Sequence, residues 1–109
     1  MSYEVIFTGS FEKKAKRLIK KYPSFLNELK ELTNSLAKNP QQGVPLGNSC
    51  YKIRMGIKSK GKGKSGGTRV ITFLRTVREK VYLVDVYDKS VQSTISDKEL
   101  KLLIELLAE

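Results

Sequence analysis

Between residues 51 and 58 apolar and polar side chains alternate without a break: Tyr51, Ile53, Met55 and Ile57 against Lys52, Arg54, Gly56 and Lys58. A period of two suits only an extended strand, with the apolar set on a core and the basic set on the opposite face. Thr68 to Leu74 and Val81 to Tyr87 follow as two more β-rich runs, joined by a turn around Val77 to Lys80. Short connections between successive strands predict an antiparallel meander.

The rest of the chain must cover that sheet. Tyr3 to Thr8 reads as a first strand, broken by Gly9-Ser10, with Ser10 as N-cap of the next helix. Phe11, Ala15, Leu18, Ile19 and Tyr22 then recur at helical spacing. After Pro23-Ser24, a second stripe of Phe25, Leu29, Leu32 and Leu36 completes a helical hairpin. Asn39 to Asn48 contains two Pro and two Gly and reads as a loop. Ser96-Asp97-Lys98-Glu99 matches a capping box. It opens a terminal helix whose Leu100, Leu103, Ile104 and Leu107 face its own domain or a partner. The expectation is one α+β domain over 1–109, ordered β-α-α-β-β-β-α. Its antiparallel or mixed four-stranded sheet carries the hairpin on one face and ends in a helix.

Charge narrows the function. Twenty-one Lys and Arg against 11 Asp and Glu leave a net charge of +10, which points to a polyanionic partner, most simply nucleic acid. The excess is concentrated: residues 50–69 hold Lys52, Arg54, Lys58, Lys60, Lys62, Lys64 and Arg69 and no acid. Clustering of this kind lets several phosphates be neutralised together. Lys58 at the end of the 51–58 strand and Lys60, Lys62 and Lys64 on the Gly-rich loop leading to the next are the candidate RNA-binding residues. Gly61-Lys62-Gly63-Lys64-Ser65-Gly66 formally satisfies a dinucleotide-binding fingerprint, but a strand follows it where that motif needs a helix.

Histidine is absent, which removes Ser-His-Asp and Cys-His catalysis, and with Cys50 as the lone cysteine it removes most zinc and copper sites. No metal or cofactor is expected. Cys50 cannot pair within the chain, no apolar run reaches the ~18 residues of a bilayer span, and the first residues lack the layout of a signal peptide. A cytoplasmic protein without membrane contact is expected.

Three segments together carry a family resemblance: Tyr51-Lys52-Ile53-Arg54, the stretch ending Gly66-Gly67-Thr68-Arg69-Val70-Ile71, and Tyr82-Leu83-Val84-Asp85-Val86-Tyr87-Asp88-Lys89. In this order they resemble the RelE/HigB family of type II toxins, and Lys-Gly-Lys-Ser-Gly-Gly-x-Arg is similar to its HigB-like branch. The resemblance implies a RelE-like fold along the whole chain. It also implies a metal-independent endoribonuclease that cuts messenger RNA in the ribosomal A site, in contact with ribosomal RNA, and so stops translation. Its implied partner is a cognate antitoxin, expected to be acidic, with a helix-turn-helix as one form it could take. By the same resemblance Lys52 falls on the general base and Arg54 on a residue that stabilises phosphate charge. Arg69 falls on the arginine that holds the scissile phosphate, and Lys89 near the acid for the leaving oxygen. An aromatic residue expected near the C-terminus aligns with Ile95, and Tyr87 is the candidate to replace it, by stacking on a base or orienting a hydroxyl. Two alternatives share these features: a non-catalytic nucleic-acid-binding module, and a ParE-like inhibitor of a protein target such as DNA gyrase.

Overall fold

The computed structural model describes residues 2–58 and 67–107. The elements run β1 (Glu4–Phe7), α1 (Gly9–Lys21), α2 (Phe25–Lys38), β2 (Val44–Gly47), β3 (Cys50–Met55), β4 (Thr68–Arg75), β5 (Lys80–Asp88) and α3 (Asp97–Glu105). One sheet orders its strands β1-β5-β4-β3-β2. The β3-β4-β5 meander is antiparallel, β2 is antiparallel to β3, and β1 is parallel to β5, so the α+β fold and the mixed sheet match expectation.

The sheet has five strands, not four. The additional strand, β2, lies within the Pro- and Gly-containing segment expected to be a loop. Pro45 is tolerated there because β2 is an edge strand, where one side of the backbone needs no partner. Gly43 makes the entry possible: its φ is +95°, and a Cβ at that position would collide with the Lys52 carbonyl. A second correction concerns the start of α1. Thr8, not Ser10, is the N-cap, accepting from the Phe11 N–H at 3.3 Å, and Gly9 and Ser10 form the first turn. At the start of α3 the capping residue is as expected, Ser96 Oγ accepting from the Glu99 N–H at 3.1 Å.

Both faces of the sheet are covered, unequally. On one, α1 and α2 lay Phe11, Ala15, Phe25, Leu29, Leu32 and Leu36 over Ile53, Met55, Val70, Leu74, Val81, Leu83 and Val86. On the other, α3 and the segment before it bring Ile95 and Leu100 onto Cys50, Ile71, Tyr82, Val84 and Tyr87. The apolar stripe of α3 is therefore partly an internal packing surface, although Leu102 and Leu106 remain exposed.

A bulge in β5 decides which residues look which way. Ile71 pairs with Asp85 and Thr72 with Leu83, so Val84 is skipped. Leu83 and Val86, an odd number of residues apart, consequently share the hairpin face, while Tyr82, Val84 and Tyr87 share the other. Beyond the bulge every side chain is turned over relative to simple alternation.

Candidate functional site

The register assembles a row across three neighbouring strands. Arg54 of β3 stands opposite Arg69 of β4, and Arg69 stands opposite Tyr87 of β5. Directly paired residues project to the same side of a sheet, so all three belong to the face that α3 only partly covers. Lys52 lies two residues from Arg54 on that side, opposite Ile71, which is itself opposite Asp85. Lys52, Arg54 and Arg69 therefore converge on one surface, and the bulge adds Tyr87 and Asp85 to it.

Burial grades this cluster from floor to rim. Arg69 and Tyr87 are 5% and 4% exposed, Lys52 is half-buried, and Arg54 is exposed. Arg69 Nη1 donates to the Thr68 carbonyl at 3.2 Å, which holds the guanidinium close to the sheet. Two close approaches fix the strand ends beside it. A Cβ on Gly67 would strike the Met55 carbonyl, and the Thr68 hydroxyl donates to that same carbonyl at 3.1 Å. Only glycine lets β4 begin so near β3, with Arg69 two residues further on.

Tyr87 has an unusual setting. Its ring belongs to the α3-side core with Ile95 and is too buried to stack on a base, so the stacking role considered from sequence is not available to it in this conformation. Its hydroxyl is buried, with the Thr94 side chain beside it. Burial pushes its pKa above the usual tyrosine value; the Arg69 charge opposes that rise, Asp85 adds to it, and the Thr94 side chain opposes it.

Asp85 was not singled out by sequence reasoning. It is 1% exposed; Oδ1 forms an ion pair with Lys14 of α1 at 2.6 Å, and Oδ2 has no hydrogen-bond partner among the described residues. The available signal was a lone carboxylate inside Leu-Val-Asp-Val, where a buried strand has little reason to carry charge. Asp88, by contrast, caps local structure: it accepts from Tyr22 at 3.1 Å and from the Ser90 N–H and hydroxyl at 2.9 and 2.7 Å.

The other expected residues lie apart from the row. Lys89 follows β5; its backbone N–H donates to the Gly67 carbonyl at 3.0 Å and its amine to the Ser93 carbonyl at 3.4 Å. Lys58 is exposed, its backbone N–H held by Glu28 Oε2 at 2.8 Å. It lines, with Arg54, a groove of about 460 Å³ whose other wall carries Glu28 and Glu31 of α2. Lys60, Lys62 and Lys64 lie outside the described residues. Among the described residues no cluster of His, Cys, Asp or Glu could hold a metal ion, and no helix is long and apolar enough to cross a membrane. Cys50 is buried beneath α3, which pushes its thiol up to about 11.

The family model described as the RelE toxin of the RelE/RelB toxin-antitoxin system matches residues 3–109. Among solved structures, the free E. coli toxin RelE, in a form with two arginines replaced by alanine, is 16% identical with a TM-score of 0.56, covering 85% of this chain and 90% of its own. The isolated E. coli RelE toxin in another crystal structure is 16% identical with a TM-score of 0.55, covering 96% of this chain and 99% of its own. At such identity the two structures speak for the fold.

Proposed function

The chain belongs to the RelE toxin family, and from that membership we propose that it is a ribosome-dependent endoribonuclease that cuts messenger RNA and is neutralised by a cognate antitoxin. The observation that carries the chemical part is the row Arg54–Arg69–Tyr87 with Lys52 beside it: two guanidiniums, an ammonium and a phenol on one partly open sheet face.

In the proposed reaction the ribose 2′-oxygen attacks the adjacent phosphorus. Lys52 accepts the 2′-hydroxyl proton as general base. Arg54 and Arg69 stabilise the negative charge that develops on the phosphorane oxygens, an electrostatic effect of about 3–4 kcal/mol per well-placed donor. The bond from phosphorus to the 5′-oxygen breaks, and that oxygen takes a proton from Lys89, whose amine must first leave the Ser93 carbonyl. The products are a 2′,3′-cyclic phosphate and a 5′-hydroxyl. Tyr87, paired with Arg69 across the strands, forms the floor of the site. Lys58, Lys60, Lys62 and Lys64 hold flanking phosphates. The chain's own cations supply the positive charge that metal ions provide in other nucleases. Action on ribosomes places the protein in the cytoplasm, and a net charge of +10 calls for an acidic antitoxin surface.

Mapping of mRNA ends after incubation with translating ribosomes tests the proposal. Cuts at fixed positions within codons are expected, and they should vanish in Lys52→Ala and in Arg69→Lys, which keeps charge but loses the bidentate fork. Intact message alongside arrested DNA gyrase would transfer the protein to the gyrase-inhibitor class.

A further inference from the structure

The turn that follows β5 is built around one buried carboxylate. Asp88, the last residue of β5, is 7% exposed. Its Oδ1 accepts from the Ser90 N–H at 2.9 Å and from the Ser90 hydroxyl at 2.7 Å. Its backbone carbonyl accepts from the Val91 and Gln92 N–H groups, both at 3.0 Å. Oδ2 accepts from the hydroxyl of Tyr22, the C-cap of α1, at 3.1 Å. The turn is thereby tied to the helical hairpin.

Lys89 stands inside that turn. Its N–H donates to the Gly67 carbonyl at 3.0 Å, one step beyond the Thr68–Asp88 pair, so the β4–β5 ladder continues past the strand end. Side chains alternate along such a ladder. Asp88 therefore faces the helical hairpin, where Tyr22 meets it, and Lys89 returns to the side of Tyr87 and Arg69. There it lies diagonally across from Arg69, a separation that a long side chain can span.

We propose that Asp88 is a positioning residue of the cleavage site: from the hairpin side of the sheet it fixes the turn that aims Lys89 at the leaving oxygen. The inference rests on the role given to Lys89 in the nuclease reading above. A lysine side chain is long and flexible, so where its amine can act depends on how firmly its backbone is held. A general acid must come within hydrogen-bond reach of the leaving oxygen, and a misplacement of about 1 Å costs on the order of a hundredfold in rate. Asp88 constrains Lys89 on both sides, through strand pairing before it and through the bonds to Ser90, Val91 and Gln92 after it. The same turn supplies the Ser93 carbonyl on which the Lys89 amine rests. A surface turn needs no buried charge, and burying a carboxylate is costly unless its oxygens are hydrogen-bonded. Here both are, and one of them reaches back to α1.

Message carrying sulfur in place of the 5′-oxygen at the scissile bond tests this on translating ribosomes. Sulfur leaves as a thiolate and needs no acid, so a defect in acid catalysis disappears with it. On ordinary message Asp88→Ala should cut the maximal rate about tenfold or more, with the half-saturating toxin concentration within about twofold. On the sulfur-containing message it should match wild type within about twofold. Lys89→Ala should show the same pattern, and the double variant should be no slower than Lys89→Ala alone. Asp88→Asn should recover most of the lost rate, because its amide oxygen still accepts from Ser90. Should Asp88→Ala fold poorly, Tyr22→Phe removes only the tie to α1 and should lose about threefold, on ordinary message alone. Hydrogen exchange at the Lys89 amide should quicken about tenfold in Asp88→Ala while the central amides of β4 stay protected. Equal losses on both messages, unchanged exchange, or wild-type rates on ordinary message in both Asp88→Ala and Tyr22→Phe would overturn the assignment. A wild-type protein that leaves both messages intact would instead defeat the nuclease reading, and exchange would still decide whether Asp88 holds Lys89.

Discussion

The same strands build two faces of very different completeness. Under the helical hairpin, Phe11, Phe25, Leu36, Val70, Val81 and Leu83 are all 0% exposed. On the opposite face α3 and the segment before it seal only the part carrying Cys50, Tyr82, Val84 and Tyr87, while Lys52, Arg54 and Arg69 occupy the remainder. Length accounts for much of the difference. Two helices of 13 and 14 residues, each about 20 Å long, cover one face, whereas on the other the nine residues of α3 reach about 14 Å against the roughly 30 Å of β5. A fully sealed face could not admit a polyanion, and a wholly open one could not bury Arg69 and Tyr87. Incomplete coverage gives both: a dry floor that strengthens electrostatics and a rim in contact with solvent.

The sharpest way to break this comparison is a crossed pair of substitutions. Phe25→Ala on the sealed face should destabilise by about 3–5 kcal/mol in chemical denaturation. Lys52→Ala on the open face should leave stability within about 0.5 kcal/mol yet reduce cleavage by about a hundredfold or more. If Lys52→Ala instead unfolds the protein while cleavage per folded molecule survives, the division between the faces is wrong.

Cys50 probes the part that α3 does seal. Its pKa is raised from 9.0 to about 11 by burial, so the folded state favours the neutral thiol. That contribution is complete below pH 9 and disappears as pH climbs toward about 11. The denaturation midpoint should therefore fall across this window, and part of the fall should be missing in Cys50→Ala. Alkylation at pH 8 should run at least about tenfold slower than in the unfolded chain, because the thiolate is the reactive form. Equal rates would mean that α3 does not hold the face closed.

The smallest effect belongs to the start of α3. Ser96→Ala removes the acceptor for the Glu99 N–H and should cost about 1 kcal/mol. Hydrogen exchange should show the loss confined to α3 and its contacts, with α1 and α2 protected as before.

Much of this molecule was legible in its amino acids. The alternation from Tyr51 to Met55 set β3, the stripes of Phe11 to Tyr22 and Phe25 to Leu36 set the hairpin, and Ser96 marked the start of α3. These are local signals, fixed by the period of the backbone and by capping. Two local readings missed because a distant partner intervened. Thr8 displaced Ser10 as N-cap once its hydroxyl and that of Ser10 engaged the Leu83 and Val84 carbonyls. Val44–Gly47 became a strand because the edge of β3 was there to pair with.

For the site, sequence supplied the inventory of Lys52, Arg54, Arg69 and Tyr87, while tertiary structure decided which of them meet. Cross-strand register places Arg54, Arg69 and Tyr87 in one row. One skipped residue, Val84, turns Tyr87 and Asp85 away from the hairpin core and toward Arg69. No periodicity in the chain announces a bulge, because its position depends on the pairing of β5 with β4 and on the hydroxyl of Ser10 waiting at the end of β1.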